Sequence, residues 1–111
     1  MAVAQLKCVV TGLEGRVASD LVGMLTSLNL LVSQSSQQVG DADMVFCHPD
    51  SMKPLASSGA KIVAVGSDAT EESWLNALER GAADYLPMPC QLAELSWILQ
   101  SHFGPIVRSA A

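Results

Sequence analysis

Two groups of residues in this chain have the types and spacing that chemistry needs. The first is Thr11-Gly12-Leu13-Glu14-Gly15-Arg16-Val17, a glycine-punctuated turn between an apolar run and an amphipathic one. Glycines in that context let backbone amides approach a pyrophosphate at a helix N-terminus, which makes the turn a candidate phosphate loop. The second group is His48, with Cys47 before it, Asp50 two residues on and Cys90 in a late turn. Imidazole, carboxylate and thiolate are metal ligands, and an imidazole can also accept a phosphoryl group. Each group also has a plainer reading. The turn needs glycine for its own geometry, its third glycine position is Val17, and residues 33–36 supply no acid for a ribose. His48 and its neighbours match no ligand spacing, so the histidine reads as a polar cap bonded to backbone at a strand end. The expectation is no metal and no cofactor, with a small dinucleotide- or nucleotide-binding protein using residues 12–17 as the alternative.

These residues must be positioned by elements that the hydrophobic pattern predicts. Residues 6–11 form a short β-rich run closed by Gly12. Val17, Leu21, Met24, Leu25 and Leu28 then fall on one helical face, with Asn29 as the stop. Further strands are predicted over 30–33, 43–48, 61–65 and 82–86, ended by Pro49, Gly66 and the pair Pro87 and Pro89. Asp68 and Glu71 have capping-box spacing and introduce a helix whose inner face carries Trp74, Leu75 and Leu78, stopped by Gly81. Leu92, Leu95 and Leu99 mark the last helix, which Gly104 and Pro105 end. The polar stretches 33–41 and 50–59 leave room only for shortened second and third helices. Nearly all-apolar strands alternating with helices imply a parallel sheet covered on both faces. The expected fold is α/β, a flavodoxin-like (βα)5 three-layer sandwich with strand order 2-1-3-4-5.

With 111 residues, half of them hydrophobic and 15% charged, the chain is read as one globular domain over 1–104 with a tail or linker start over 105–111. The net charge is −5 and the six Lys or Arg residues do not cluster, which argues against direct nucleic-acid binding. No apolar run approaches the roughly 18 residues of a membrane span, and no leader pattern opens the chain. A soluble cytoplasmic protein with three reduced cysteines, Cys8, Cys47 and Cys90, is expected.

Residues 77–95 carry a family resemblance. Gly81, Ala82, Asp84, Tyr85, Leu86 and Pro89 match the Gly-Ala-x-Asp-Tyr/Phe-Leu-x-Lys-Pro pattern around strand five of receiver domains from two-component response regulators. Met88 stands where that pattern has its lysine. The turn at 12–17 separately resembles the first turn of short-chain dehydrogenases.

The receiver resemblance implies a phosphotransfer pocket, and this chain departs from it at every role. The cation-binding acidic pair falls at Thr11 and Gly12, the nucleophilic aspartate at His48 (Cys47 if the register slips by one), the hydroxyl at Gly66 with Ser67 adjacent, and the lysine at Met88. Without carboxylates no Mg²⁺ is held, and without metal or lysine the phosphoryl charge has no partner. The resemblance therefore implies a degenerate receiver, or pseudo-receiver, that is not an enzyme. The resemblance implies action in signalling, of the kind tied to transcription regulation, through a protein partner or a homodimer, with a fused output domain in a longer chain. The interaction face implied is the one formed by the helix before strand five, that strand and the last helix: Glu72, Asn76, Glu79, Arg80, Asp84, Tyr85, Glu94 and Trp97. Tyr85, at the family's switch-aromatic position, is expected to be fixed because Gly66 offers no hydroxyl. The Met88–Pro89 bond is expected to be cis.

Overall fold

The computed structural model describes residues 6–28, 30–34, 42–49, 60–67, 70–88 and 90–103. Within them the order is β1 (Lys7–Thr11), α1 (Gly15–Ser27), β2 (Leu31–Ser33), β3 (Met44–Cys47), β4 (Lys61–Gly66), α2 (Glu71–Glu79), β5 (Asp84–Pro87) and α3 (Leu92–Phe103). The strands form one parallel sheet in the order β2-β1-β3-β4-β5, as the alternating pattern predicts. Second and third helices over 33–41 and 50–59, the Met88–Pro89 bond and the stop at Gly104 involve residues outside those described.

The sheet is apolar on both faces because both are covered. Cys8, Val10, Met44, Phe46, Val63, Val65 and Leu86 point to one side, where Leu21 and Leu25 of α1 and Leu95 and Leu99 of α3 close over them. Each of those four leucines is fully buried, a gain of about 1.5–3 kcal/mol apiece. Val9, Val45, Cys47, Ile62, Ala64 and Tyr85 point to the other side, and of the described helices only α2 meets them.

The inner face of α2 differs from expectation. Ala77 is its buried residue, while Trp74 and Leu75 are 41% and 45% exposed. Small residues win this face because the Tyr85 ring already occupies the space beneath it, in one cluster with Ala77 and Ala82. The N-cap is Thr70, whose hydroxyl accepts from the Ser73 amide at 3.2 Å, and Asp68 lies outside the described residues. The C-terminus closes as a Schellman motif: the Gly81 amide donates to Leu78 O, the Ala82 amide to Ala77 O, and Gly81 takes a φ of +107°.

β5 starts two residues later than predicted, at Asp84, and runs one residue further, to include Pro87. It is an edge strand, so the missing amide of Pro87 removes no ladder bond, and the Met88 amide makes the next one to Gly66 O at 2.8 Å. At the other end of the sheet, the α3 C-terminus is tied down electrostatically. His102 Nε2 lies 3.1 Å from Asp84 Oδ2, Lys61 Nζ donates to His102 O at 3.2 Å, and the same ammonium sits 5.3 Å from the Phe103 ring centroid.

All three cysteines are free thiols. Burial pushes Cys8 from the usual 9.0 up to about 12, with the nearby Asp43 charge adding to it, and pushes Cys47 up to about 11. The folded chain therefore keeps protons that the unfolded chain releases above pH 9. Stability contributed by these thiols is complete below that pH and declines as pH rises toward 11–12, by at most about 1.4 kcal/mol per pH unit per thiol. Urea unfolding between pH 7 and 10.5 should show a flat region and then a fall, and Cys8→Ala should make the fall shallower. An identical pH profile in Cys8→Ala would contradict this account of the buried thiol.

Candidate functional site

The C-terminal ends of the strands bring the sequence-predicted pocket residues to one edge. Thr11 pairs with Cys47, Cys47 with Ala64, Ala64 with Tyr85, and Gly66 with Pro87. Thr11, Gly12, His48, Gly66 and Met88 thus follow one another around the end of the sheet. Their side chains do not form a set of cation or phosphoryl ligands. Met88 is 7% exposed and belongs to the core beneath α1 and α3. Gly12 takes a φ of +71°, which gives the turn its own need for glycine. Among the described residues no three of His, Cys, Asp and Glu gather as a metal site, and Asp50 lies outside those residues. Cys90 is half-buried, with its thiol raised by burial and by the Glu94 charge.

The glycine turn also lacks the features of a phosphate loop. Glu14 occupies the N-cap of α1 without accepting a helix amide, so a carboxylate stands beside the amides an anion would need. A Cβ added at Gly15 would meet nothing within 4 Å, so no part of the chain itself approaches that glycine closely.

Tyr85 and Gly66 are closely packed at this edge. A Cβ on residue 66 would collide with the Tyr85 hydroxyl and lie 2.8 Å from its Cζ and 2.9 Å from its Cε1. The ring therefore occupies the volume that any side chain at 66 would fill, and Tyr85 is only 7% exposed. The sequence reading expects Tyr85 to be a fixed ring and a member of the interaction face; in the structure the ring is almost wholly buried over Gly66.

The other residues of the expected face divide. Glu72 and Glu79 are exposed on α2, while Asn76 and Arg80 line a cleft beside His48. Asp84 is half-buried in its pair with His102, a partner that the sequence reading missed because no short-range pattern links residues 18 apart. Glu94 accepts from the Gln91 amide at 2.8 Å and so caps α3, a role legible from its place in the first turn. Trp97 stands 69% exposed on the outer side of α3.

No family model matches the chain, and no curated protein matches it in sequence. Solved structures do resemble it. A two-component response regulator from Clostridium difficile superposes with a TM-score of 0.71 at 20% identity, over 87% of this chain and 94% of that one. The receiver domain of the sensor histidine kinase PA1611 from Pseudomonas aeruginosa PAO1, with magnesium coordinated in its active-site cleft, gives 0.69 at 19% identity, covering 88% and 97%. NtrX from Brucella abortus gives 0.72 at 16%, covering 88% of this chain and 26% of that one. At these identities the likeness shows the fold, and the fold is that of receiver domains.

Ordinarily a strand gains about 0.5–1 kcal/mol when glycine becomes alanine. Here the contact with Tyr85 reverses the sign, and Gly66→Ala should cost about 1–3 kcal/mol by overpacking. In a Tyr85→Ala background the same change should be neutral or stabilising, a coupling of at least about 1 kcal/mol in a denaturation cycle. Additive effects would mean that ring and glycine are independent.

Proposed function

We propose that this protein is a receiver-like signalling module that works without phosphotransfer, through contact with a protein partner or a second copy of itself. The observation that supports this best is Met88. At the place where the family resemblance puts a lysine, the side chain is packed into the core, and Thr11 and Gly12 supply no carboxylate to hold a cation. A phosphoryl group there would meet neither metal nor ammonium.

Of the face that the resemblance implies, Glu72, Asn76, Glu79 and Arg80 of α2 and Glu94 and Trp97 of α3 are exposed, and Trp74 and Leu75 of α2 are exposed beside them. Trp97 is the anchor residue of this reading, since exposed aromatic side chains with large apolar area dominate interfaces. A fused output domain is also part of the proposal. Similar folds occur as one part of a longer chain in NtrX, and as the N-terminal domain of the nisin resistance regulator NsrR. Action in the cytoplasm and on transcription belongs to the same reading. No helix among the described residues is long and apolar enough to cross a membrane.

Incubation with Mg²⁺ and acetyl phosphate, followed by intact-mass measurement, tests the reading. The expected result is no phosphoryl adduct at any time point, whereas a response regulator carried in parallel acquires one. A stable adduct mapping to His48 or Asp50 would overturn it.

A further inference from the structure

The start of α3 presents an apolar face to solvent. Leu92 and Trp97 are 42% and 69% exposed, and Ala93 between them is exposed as well. With 3.6 residues per turn, Leu92, Ala93, Ser96, Trp97 and Gln100 fall within about 140° of the helix circumference, away from the buried stripe of Leu95, Ile98 and Leu99. They line an open groove of about 450 Å³, walled on one side by Leu28 at the end of α1.

Two properties of this groove decide what fits it. The first is charge. Among the described residues lining it none is charged, although the chain carries a net charge of −5. A strongly charged partner would find nothing to pair with there, whereas two copies of an acidic chain meet at least cost where neither presents a charge. Its polar members are already matched. Gln100 Nε2 donates to Ser96 Oγ at 3.1 Å, so covering the groove leaves that bond in place.

The second property is the order of sizes along the helix. Leu92, Ala93, Ser96 and Trp97 read large, small, small, large about a midpoint between Glu94 and Leu95. A twofold axis at that midpoint, perpendicular to α3, sets a second α3 antiparallel to the first. Ala93 is then level with Ser96 of the second copy, and Leu92 is level with its Trp97. The small pair lets the helices approach to roughly 8 Å, the close end of helix packing distances, and the large residues close around it. One patch thus serves as both knob and hole, which an isologous pair requires.

We propose that this protein pairs with a second copy of itself through antiparallel α3 helices, Trp97 of each copy entering the Leu28–Leu92 groove of the other. The proposal names the partner in the contact reading above and rests on it. One helix pair is small against the roughly 1,200–2,000 Å² of a stable complex, so the dimer is weak, with a dissociation constant of roughly 0.1 mM.

Sedimentation equilibrium of the whole chain from about 20 μM to about 1 mM tests the pairing. The expected result is a monomer–dimer equilibrium, with concentration-dependent amide shifts confined to Leu28 and the exposed face of residues 92–100. In a mixture of isotope-labelled and unlabelled chains, filtered NMR should find the Trp97 ring of one copy close to the Leu92 methyls of the other. Trp97→Ala should weaken pairing by about tenfold or more. Ala93→Glu, an exposed change that sets like charges across the axis, should do the same, and Trp74→Ala on α2 should leave pairing unchanged. A chain that stays monomeric throughout would overturn the pairing. Absence of a phosphoryl adduct in that same preparation would place the failure with the pairing and not with the module reading. Trp74→Ala weakening the dimer as much as Trp97→Ala, or shifts on α2 in place of α3, would overturn the choice of face.

Discussion

The contact between Tyr85 and Gly66 sets the character of this end of the molecule. A side chain at 66 and the ring at 85 cannot occupy the same volume, and the chain resolves the conflict in favour of the ring. Because the ring lies under α2, that helix closes with Ala77 inward, and its larger apolar residues, Trp74 and Leu75, are turned outward. A local choice of glycine thus decides which residues of a neighbouring helix reach solvent.

What holds the fold is separate from any chemistry at this edge. The sheet, its order and its coverage by α1 and α3 rest on apolar strands that do not depend on any polar pocket residue. Met88 at this edge belongs to that apolar core, and Leu13, Val17 and Met88 line one cleft with His48.

Much of the architecture was legible from sequence because apolar strands and the Val17–Leu28 helical stripe are strong short-range signals. Gly81 was equally readable, since a left-handed residue closing a helix has one favoured solution. The misreadings have physical reasons. Trp74 and Leu75 drew the inner face of α2 toward themselves by size, although space under the helix was already taken by a residue ten or more positions later. Pro87 looked like a strand breaker, but edge position decides whether a missing amide matters, and edge position is a property of topology. The Asp84–His102 pair and the clefts at the strand ends are long-range juxtapositions with no local pattern, so only the folded chain reveals them.

If the Tyr85 ring is locked over Gly66, nothing offered to the sheet edge should displace it. The most direct measurement is the set of NMR proximity signals between the Tyr85 ring and the Gly66 α-protons, recorded with and without Mg²⁺ and beryllofluoride, a phosphoryl mimic. The account predicts that these signals are present in both samples with unchanged intensity. Their loss on addition of the mimic, with the ring moving to solvent, would show a working switch and contradict it.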